Sequence, residues 1–334
     1  MTTYLITGGT GYIGSLLVKR LKGLAKNDNQ ITCILPVRDI GKAREKYNSI
    51  VEPDNFEIQY VLWDMLDHNT DEKKLTDEIK SKTGTVDYII HCAAVTVSKQ
   101  MSRTPVEVAE GIVNGTRIML EAARILKPKH MVCLSSMEAY GIVTDIGRTR
   151  KEDELGTLDL TSARSSYPVA KRMQEHFCHI YSKEYNVPVS IARLAQTFGE
   201  GVRLDDNRVY MQFARAARDG KDIVLHTEGK TYGNYCAASD TVDAILLLLE
   251  KGENGWCYNV VNEENTMTIR EMAELVADKI ADGKISVKID LEDEQITGYA
   301  RDTYLRLSGS RLRALGWKAK KSLRDMYMEV MKEI

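Results

Sequence analysis

The sequence predicts an α/β fold, a doubly wound parallel sheet with a smaller C-terminal lobe. Short apolar runs rich in β-branched residues alternate with longer polar stretches at helical spacing over most of the chain. These runs are apolar at nearly every position, which is typical of strands that helices cover on both faces. The first run also leads through a glycine-rich turn into a helical pattern, as at the start of such a sheet.

The predicted elements follow one another in alternating order. Tyr4 to Thr7 forms a short strand, and Tyr12 to Leu24 carries the spacing of an amphipathic helix. The next strands are ITCILPV (31–37), FEIQYVLW (56–63) and VDYIIHCAA (86–94). A helix at 105–126, a strand in HMVCLSS, a helix at 167–185 and a strand in VPVSIARL continue the series. Because each strand is followed by a helix, the strands are expected to run parallel.

Composition excludes several classes of function. The chain has 46 Lys and Arg against 48 Asp and Glu, and this net charge of -2 provides no field for nucleic acid or an anionic membrane. The apolar run AILLLL (244–249) is far shorter than the ~20 residues of a spanning helix. The N-terminus reaches glycine too early for a signal peptide. Six scattered cysteines without a CxxC pair indicate reduced thiols and no metal site, so a cytoplasmic location is expected.

The first turn, TGGTGYIG, is the first candidate binding site. Gly8, Gly11 and Gly14 form GxxGxxG between a predicted strand and a predicted helix, a Rossmann arrangement in which backbone amides hold a pyrophosphate. Outside that context a plain glycine loop would be the simpler interpretation. The spacing resembles that of the short-chain dehydrogenase/reductase superfamily, extended branch. The resemblance implies NAD or NADP, tightly bound and recycled, on Gly8, Gly11, Tyr12, Ile13 and Gly14.

Further cofactor contacts are expected at the ends of the next strands. Arg38 could pair with the 2'-phosphate of NADP, whereas Asp39 could hold the ribose hydroxyls of NAD, and either could be a solvated charge. The resemblance places Asp64 against the adenine, next to Met65. It places HCAA (91–94), with Ala93 and Ala94, along the cofactor. His91 itself is expected to be a packed core histidine.

The segment SSYPVAK carries the candidate catalytic pair. Tyr167 and Lys171 are four residues apart on a predicted helix and therefore share a face. An ammonium beside a phenol lowers the phenol pKa, so that it can exchange a proton with a sugar hydroxyl. Ser136 is expected to hydrogen-bond the same hydroxyl. A YxxxK pattern alone is weak, but here it follows GxxGxxG and a serine-bearing strand in the right order.

These motifs together resemble the nucleotide-sugar epimerase/dehydratase family. Counterparts extend through NGT (114–116), ARLAQTFGEG (192–201), ASDTVDA (238–244), YNVVN (258–262) and ALGWKAK (314–320). The resemblance implies a nucleoside diphosphate sugar, oxidised at C4 and usually reduced again at the end. It also implies a homodimer through the helices near Pro105 and Tyr167, with Ile112, Ile118, Met119, Met173 and Phe177 serving that face or the core.

Two regions follow from the motifs and the pattern. Beyond about Gly199 the alternation loosens, with isolated helical stretches at 209–218 and 269–280 and a closing helix after LGW (315–317). We expect a dinucleotide-binding domain at 1–200 with a returning segment near 234–262. A substrate-binding lobe is expected at 201–233 and 263–334.

Glu138, in LSSMEAYG, separates the reaction types within the family. The resemblance is closest in pattern to UDP-glucuronate decarboxylases, which have a glutamate in this place, and to 4,6-dehydratases, which carry an acid pair. A C4 ketone acidifies the C5 proton, and a nearby carboxylate is a suitable base. Met137 cannot donate a proton, which disfavours dehydration. Decarboxylation, epimerisation at C5 or C3, and epimerisation at C4 with Glu138 in a binding role remain open, as does a rim carboxylate without a chemical role.

Substrate contacts depart from the family pattern. Gln196 stands where the family usually has an asparagine, and Gly233 stands where an arginine commonly grips the pyrophosphate. Another cation must then hold the diphosphate. Arg208 resembles the decarboxylases' arginine, and Tyr304 falls closest to their carboxylate-binding arginine. The remaining candidates nearby are Arg203, Arg301 and Arg306.

Two other functions remain open. A 4-keto-sugar reductase that consumes NADPH would agree with Arg38 and would hold an exchangeable cofactor. A dinucleotide sensor without turnover would bind the cofactor and ignore every nucleotide sugar, but the intact set of Ser136, Tyr167 and Lys171 argues against it.

Overall fold

The computed structural model describes residues 1–26, 28–48, 55–67, 69–96, 98–291 and 303–334. Strands β1 to β5 are Thr2–Thr7, Ile31–Val37, Phe56–Leu62, Tyr88–His91 and His130–Ser136. Helices α1 to α5 are Tyr12–Leu24, Ile40–Tyr47, Glu72–Thr83, Ser98–Arg103 and Pro105–Leu126. Next come β6 (Thr149–Arg150), α6 (Ser166–Tyr185), β7 (Val189–Leu194) and β8 (Gln196–Phe198).

The remaining elements are shorter on average. The helices are α7 (Val209–Asp219), α8 (Ala238–Lys251), α9 (Ile269–Leu275), α10 (Ser310–Ala314) and α11 (Leu323–Glu333). The strands are β9 (Ile223–Leu225), β10 (Tyr232–Ala237), β11 (Cys257–Val260), β12 (Asn262–Thr268), β13 (Val287–Ile289) and β14 (Arg306–Leu307). No helix in the described ranges has the length and apolar character needed to cross a bilayer.

The predicted doubly wound sheet is confirmed. Seven strands lie in the order β11-β7-β5-β4-β1-β2-β3. The neighbouring pairs β3·β2, β2·β1, β1·β4 and β4·β5 are all parallel. All seven residues of β2 are buried, which explains their continuous apolar character. Helix α1 buries Gly14, Leu17, Val18 and Leu21, the spacing of an amphipathic helix against a sheet.

The strand order indicates where a ligand would bind. After β3 the chain crosses to β4, on the other side of β1, so the direction of winding reverses between β1 and β4. Ligands of such sheets bind beyond the carboxyl ends of the strands at this reversal. Thr7, His91 and Cys133 are aligned across β1, β4 and β5. The glycine turn, the HCAA segment and Ser136 therefore all lie at one edge of the sheet.

The chain divides into two compact units. The first comprises Met1–Ala139, Leu158–Arg193 and Ala244–Tyr258, and the second comprises Tyr140–Thr157, Leu194–Asp243 and Asn259–Ile334. The second unit contains a three-stranded sheet, β12-β10-β8, and two pairs, β13-β9 and β14-β6. Its core includes four aromatic rings, with Phe198 stacked on Tyr210 at 4.3 Å and edge-on to Tyr235 and Tyr327.

Candidate active site

The glycine turn connects β1 to α1 in a backbone path that only glycine can follow. Gly8 has φ +64°, and a Cβ atom there would lie 2.9 Å from the Ala93 nitrogen. A Cβ atom on Gly14 would lie 2.2 Å from the Gly8 carbonyl oxygen. Helix α1 therefore starts against the turn itself. The N-cap residue is Gly11, which has no side chain that could accept a hydrogen bond from the first amides of the helix.

Two side chains of α2 hold the outer side of this turn. The Tyr47 hydroxyl donates to the Gly9 carbonyl at 2.5 Å, and Lys46 Nζ donates to the Thr10 carbonyl at 2.7 Å. Tyr47 is buried, and burial raises its pKa, so the phenol keeps the proton that it donates. These two hydrogen bonds tie the turn to α2. In the sequence, the only sign of this support is an aromatic residue at the end of a polar helix.

The other expected cofactor residues take varied positions. Arg38 is exposed at the end of β2. Asp39 is the N-cap of α2 and accepts from the Lys42 amide at 3.0 Å, a hydrogen bond that lowers the pKa of its carboxyl. Asp64 is half-buried and accepts from the Leu66 amide at 3.0 Å. The charge at Asp39 thus already has a structural role as a helix cap.

The HCAA segment packs closely against β1. The Ala93 amide donates to Thr7 Oγ1 at 3.2 Å, and Ala94 packs in a small apolar cluster with Ile112 and Tyr167. Met65 packs against Gly115 of α5, where an added Cβ atom would lie 3.0 Å from the Met65 Cβ atom. These contacts hold the HCAA segment against β1 and α5, and Met65 against α5.

The end of β5 presents the serine and the acid. Ser135 points into the core, while Ser136 and the following turn, Met137–Tyr140, are half-buried except for Ala139 and Tyr140. The Glu138 amide donates to Ser136 Oγ at 3.2 Å. The side chains of Ser136 and Glu138 therefore emerge from one short turn of backbone.

Tyr167 and Lys171 share a face of α6, as predicted from their spacing. Lys171 Nζ lies 5.7 Å from the centroid of the Tyr167 ring, and both side chains are buried. Lys171 Nζ donates to the Leu134 carbonyl at 2.8 Å, which ties it to β5 two residues before Ser136. Burial lowers the pKa of Lys171 to about 8. The pair therefore lies beside the end of β5.

Glu138 forms an ion pair that the sequence did not predict. Arg164 lies in the turn Ala163–Ser165, directly before α6, and its guanidinium donates to Glu138 Oε2 at 2.8 Å. The exposed fractions of the two side chains are 42% and 35%, so solvent and a ligand can both reach the pair. Arg164 comes three residues before Tyr167, and only the fold reveals that it reaches Glu138.

A fully buried ion pair supports this region from behind. Glu175 accepts from Arg193 Nε at 2.8 Å and from its terminal nitrogen at 2.7 Å, and the Ser135 hydroxyl donates to the same carboxylate at 2.5 Å. The contact joins α6, β7 and β5. Breaking such a buried pair typically costs about 3 to 5 kcal/mol because the remaining charge has no partner. It fixes the helix that carries Tyr167 and Lys171.

The expected substrate residues that the structure describes lie in the second unit. Gln196 is on β8, and its Oε1 atom is buried without a hydrogen-bond partner among the described residues. Arg208 pairs with Asp206, with Nε 3.0 Å from Oδ2, although its side chain is 44% exposed. The guanidinium of Arg306 lies 5.4 Å from the centroid of the Tyr232 ring. Arg301 lies outside the described residues.

The absence of a side chain at position 233 has a steric cause. A Cβ atom there would lie 2.2 Å from the hydroxyl oxygen of Tyr235, which fills the place of a side chain at 233. Tyr235 is fully buried and packs on Phe198. An arginine at this position is therefore incompatible with the aromatic core of the second unit.

Comparison with known proteins gives one family. The NAD dependent epimerase/dehydratase family matches residues 4–262. The chain is 28% identical over 322 residues to UDP-glucuronic acid decarboxylase 4 of Arabidopsis thaliana, covering 96% of this chain and 66% of that protein, just under two thirds. It is 29% identical over 274 residues to UDP-N-acetyl-alpha-D-glucosaminuronate decarboxylase of Bacillus cytotoxicus, covering 81% and 78%.

Solved structures agree in fold. UDP-glucose 4-epimerase of Thermus thermophilus, in complex with NAD, matches with a TM-score of 0.77 at 21% identity, covering 99% of this chain and 98% of that one. UDP-glucuronic acid 4-epimerase of Bacillus cereus, in complex with UDP-glucuronic acid and NAD, matches with a TM-score of 0.74 at 20% identity and the same coverage. At these identities the similarity shows the fold alone.

Proposed function

The chain belongs to the NAD dependent epimerase/dehydratase family, and we propose that it acts on a nucleotide-activated sugar through transient oxidation at C4. Glu138 then acts on the 4-keto intermediate, in a decarboxylation or an epimerisation. The observation that carries this proposal is the joint position of Tyr167, Lys171, Ser136 and Glu138, all within the first compact unit.

The glycine turn fits the NAD of this family. A Cβ atom on Gly14 would collide with the Gly8 carbonyl, so the helix can start this close to the turn, and Gly11 at its N-cap is exposed. Backbone amides at such a helix start are suited to a diphosphate. The turn (Gly8, Gly11, Tyr12, Ile13 and Gly14) would hold the pyrophosphate, and Asp64, Met65, Ala93 and Ala94 would line the rest. When bound, the nicotinamide supplies a hydride acceptor that later returns the hydride. Arg38 and Asp39 remain the proposed contacts to the adenosine ribose.

Tyr167 is the proposed base for the C4 hydroxyl. The positive charge of Lys171 favours the phenolate, and the apolar packing of the Tyr167 ring on Ile112 and Ala170 fixes its direction. Ser136 can hold the same hydroxyl by a hydrogen bond. Removal of the proton by Tyr167 accompanies departure of hydride from C4 and leaves a ketone.

Glu138 is the proposed group at C5. In a uronate the carboxyl group lies β to the C4 ketone, so the electrons of its bond to C5 can flow into the ketone as carbon dioxide leaves. After decarboxylation C5 must take up a proton, which the protonated form of Glu138 can donate. In an epimerisation the C5 proton is removed and then replaced, and the Glu138 carboxylate can accept it and return it. Arg164 holds the Glu138 carboxylate in place at 2.8 Å. Met137 supplies no proton, which disfavours loss of water.

A uronate is the proposed substrate class. The chain is similar to proteins named as decarboxylases of UDP-glucuronic acid and of UDP-N-acetyl-glucosaminuronate. The buried, unpartnered Oε1 of Gln196 supports a ligand near β8, and Arg208 and Arg306 are the described cations proposed for the diphosphate or the carboxylate. Arg301 stays a candidate.

A homodimer and a cytoplasmic location stay predictions. Of the apolar positions expected on α5 and α6, Ile112, Ile118 and Met119 are buried within the first unit and cannot form a surface contact. Met173 and its neighbour Val169 are more than a third exposed and are the better candidates.

Products of a panel of UDP, dTDP, CDP and GDP sugars, read by mass spectrometry, test the proposal. Loss of carbon dioxide or conversion to an isomer is expected for a uronate. Loss of water would indicate a dehydratase, and gain of two hydrogens with consumption of NADPH would indicate the reductase alternative. No conversion of any sugar would contradict the proposed function.

A further inference from the structure

Gln174 contacts the catalytic lysine from the buried side of α6. It lies three residues after Lys171 and is fully buried. Its Oε1 accepts from Lys171 Nζ at 2.8 Å, and its Nε2 donates to Thr116 Oγ1 on α5 at 2.8 Å. A buried amide is stable only when both of its ends are hydrogen-bonded, and both are.

The orientation of this amide follows from its partner. The Thr116 hydroxyl donates its one proton to the Ile112 carbonyl at 2.7 Å, so its oxygen can only accept from other groups. A flipped Gln174 amide would set oxygen against the Thr116 oxygen and an NH2 group against the Lys171 ammonium. The hydrogen-bond network therefore determines which end faces the lysine.

The network continues to the edge of the sheet that carries the glycine turn. His91 Nε2 lies 3.3 Å from Thr116 Oγ1, and His91 Nδ1 lies 2.8 Å from Thr7 Oγ1. Burial lowers the pKa of His91 to about 3, so the ring is neutral. Because Thr116 can only accept, Nε2 carries the ring proton, and Nδ1 accepts from Thr7. Thr7 in turn accepts from the Ala93 amide at 3.2 Å.

Lys171 is held by two acceptors of different kinds. An ammonium has three N–H donors, and the Leu134 carbonyl and Gln174 Oε1 engage two of them at 2.8 Å each. The same Nζ atom lies 5.7 Å from the centroid of the Tyr167 ring. A neutral amide has one advantage over a carboxylate here, because it orients the ammonium beside Tyr167 without cancelling its positive charge.

We propose that Gln174 is a positioning residue, which Thr116 and His91 lock in place so that Lys171 keeps both its direction and its charge beside Tyr167. The inference deepens the function proposed above and rests on it. Gln174 itself does not touch the reacting atoms. Its contribution passes through Lys171.

The surroundings of Lys171 make this contact significant. Burial is the main cause that lowers the pKa of Lys171 to about 8, so the ammonium needs each acceptor to stay charged near neutral pH. The titratable groups around it, on β5, on α6 and at the end of β4, are His91, the following Cys92, Cys133, Tyr167, Glu175 and Cys178. Glu175, the acid among them, is already paired with Arg193.

A titration of Lys171 by NMR tests the inference without a substrate. The 15Nζ resonance is assigned by its loss in Lys171→Met and followed against pH in Gln174→Met and Thr116→Val. Both variants are expected to lower the pKa of Lys171 by about one unit or more, because the ammonium loses its acceptor or the acceptor loses its anchor. Thr76→Val is the matched control, because Thr76 is also a buried helical threonine that donates to a carbonyl, but on α3.

Kinetics supply the second readout. In Gln174→Met and Thr116→Val, kcat is expected to fall about tenfold with KM within about twofold, and the acid-side inflection of kcat/KM is expected to move to higher pH. The double variant should be no worse than Gln174→Met, because both act through one contact.

An unchanged Lys171 pKa in a folded Gln174→Met variant, or in Thr116→Val if Gln174→Met does not fold, would overturn the inference. If the wild type converts no nucleotide sugar, the proposed function fails, while the NMR titration still decides the role of Gln174.

Discussion

The Lys171 ammonium lies 5.7 Å from the centroid of the Tyr167 ring, with both side chains buried at the start of α6. In this geometry a positive charge acts on the phenol with little screening by water. The spacing of the two residues in the sequence predicted a shared helix face. The structure adds the anchor of the lysine on β5.

Tyr167→Phe is expected to lower kcat by about 10² to 10⁴, because it removes the proton acceptor for the C4 hydroxyl. Affinity for NAD, measured by calorimetry, should stay within a few-fold. Tyr181→Phe is the control on the same helix, since Tyr181 donates to Glu121 away from the site. Equal turnover in the two variants would remove Tyr167 from the mechanism.

Glu138→Gln is expected to separate the two halves of the reaction. Oxidation at C4 depends on Tyr167 and should continue, whereas proton exchange at C5 loses its carboxylate. The reduced nicotinamide and a 4-keto sugar should then accumulate and be visible by absorbance and mass spectrometry. Rapid completion of the normal product would instead assign Glu138 to the rim of the site.

Gly14→Ala is expected to weaken NAD binding about tenfold or more and to destabilise the fold by about 1 to 3 kcal/mol. The reason is the 2.2 Å approach of the new Cβ atom to the Gly8 carbonyl. Gly23→Ala, in the last turn of the same helix with open space around it, should be stabilising by about 0.5 to 1 kcal/mol. Calorimetry and thermal unfolding of both variants test the turn, and wild-type NAD affinity in Gly14→Ala would contradict it.

Lys171 is expected to make stability depend on pH. Its pKa falls from 10.5 to about 8 on folding, so between these values the unfolded chain binds the extra proton. Stability of the wild type relative to Lys171→Met should therefore rise from pH 8 to 10.5, by up to about 3 kcal/mol, and be constant below pH 8. Urea unfolding of both proteins across this range measures the difference. Parallel curves would show that folding does not shift the pKa of Lys171.

Local pattern predicted most of the fold. The glycine turn and the strand runs were recognisable because each depends on neighbouring residues. The predicted bounds of an element were wrong where contacts with distant residues determine its extent. The strand predicted at 86–94 pairs only over Tyr88–His91, since the following residues leave the sheet beside the glycine turn. The helix predicted at 269–280 changes to π geometry after Leu275.

Contacts between distant segments could not be predicted. Arg164 meets Glu138 across 26 positions, and Gln174 meets Thr116 across 58. The sequence spacing of Gln174 from Lys171 places both on one face of α6, but only the packing of α5 against α6 identifies the partner of the amide. Gly233 was recognised as a departure from the family, and its cause, the Tyr235 hydroxyl, required the folded sheet.

Incubation with NAD and UDP-glucuronate in deuterium oxide examines the proposed chemistry at C4 and C5 in one reaction. We expect a product that has lost carbon dioxide or is an isomer, with solvent deuterium at C5, and we expect Tyr167→Phe to abolish it. If the protein returns the uronate unchanged, or if Tyr167→Phe still forms the product, the proposed role of Tyr167 is wrong, and a product without deuterium at C5 would contradict the proposed role of Glu138.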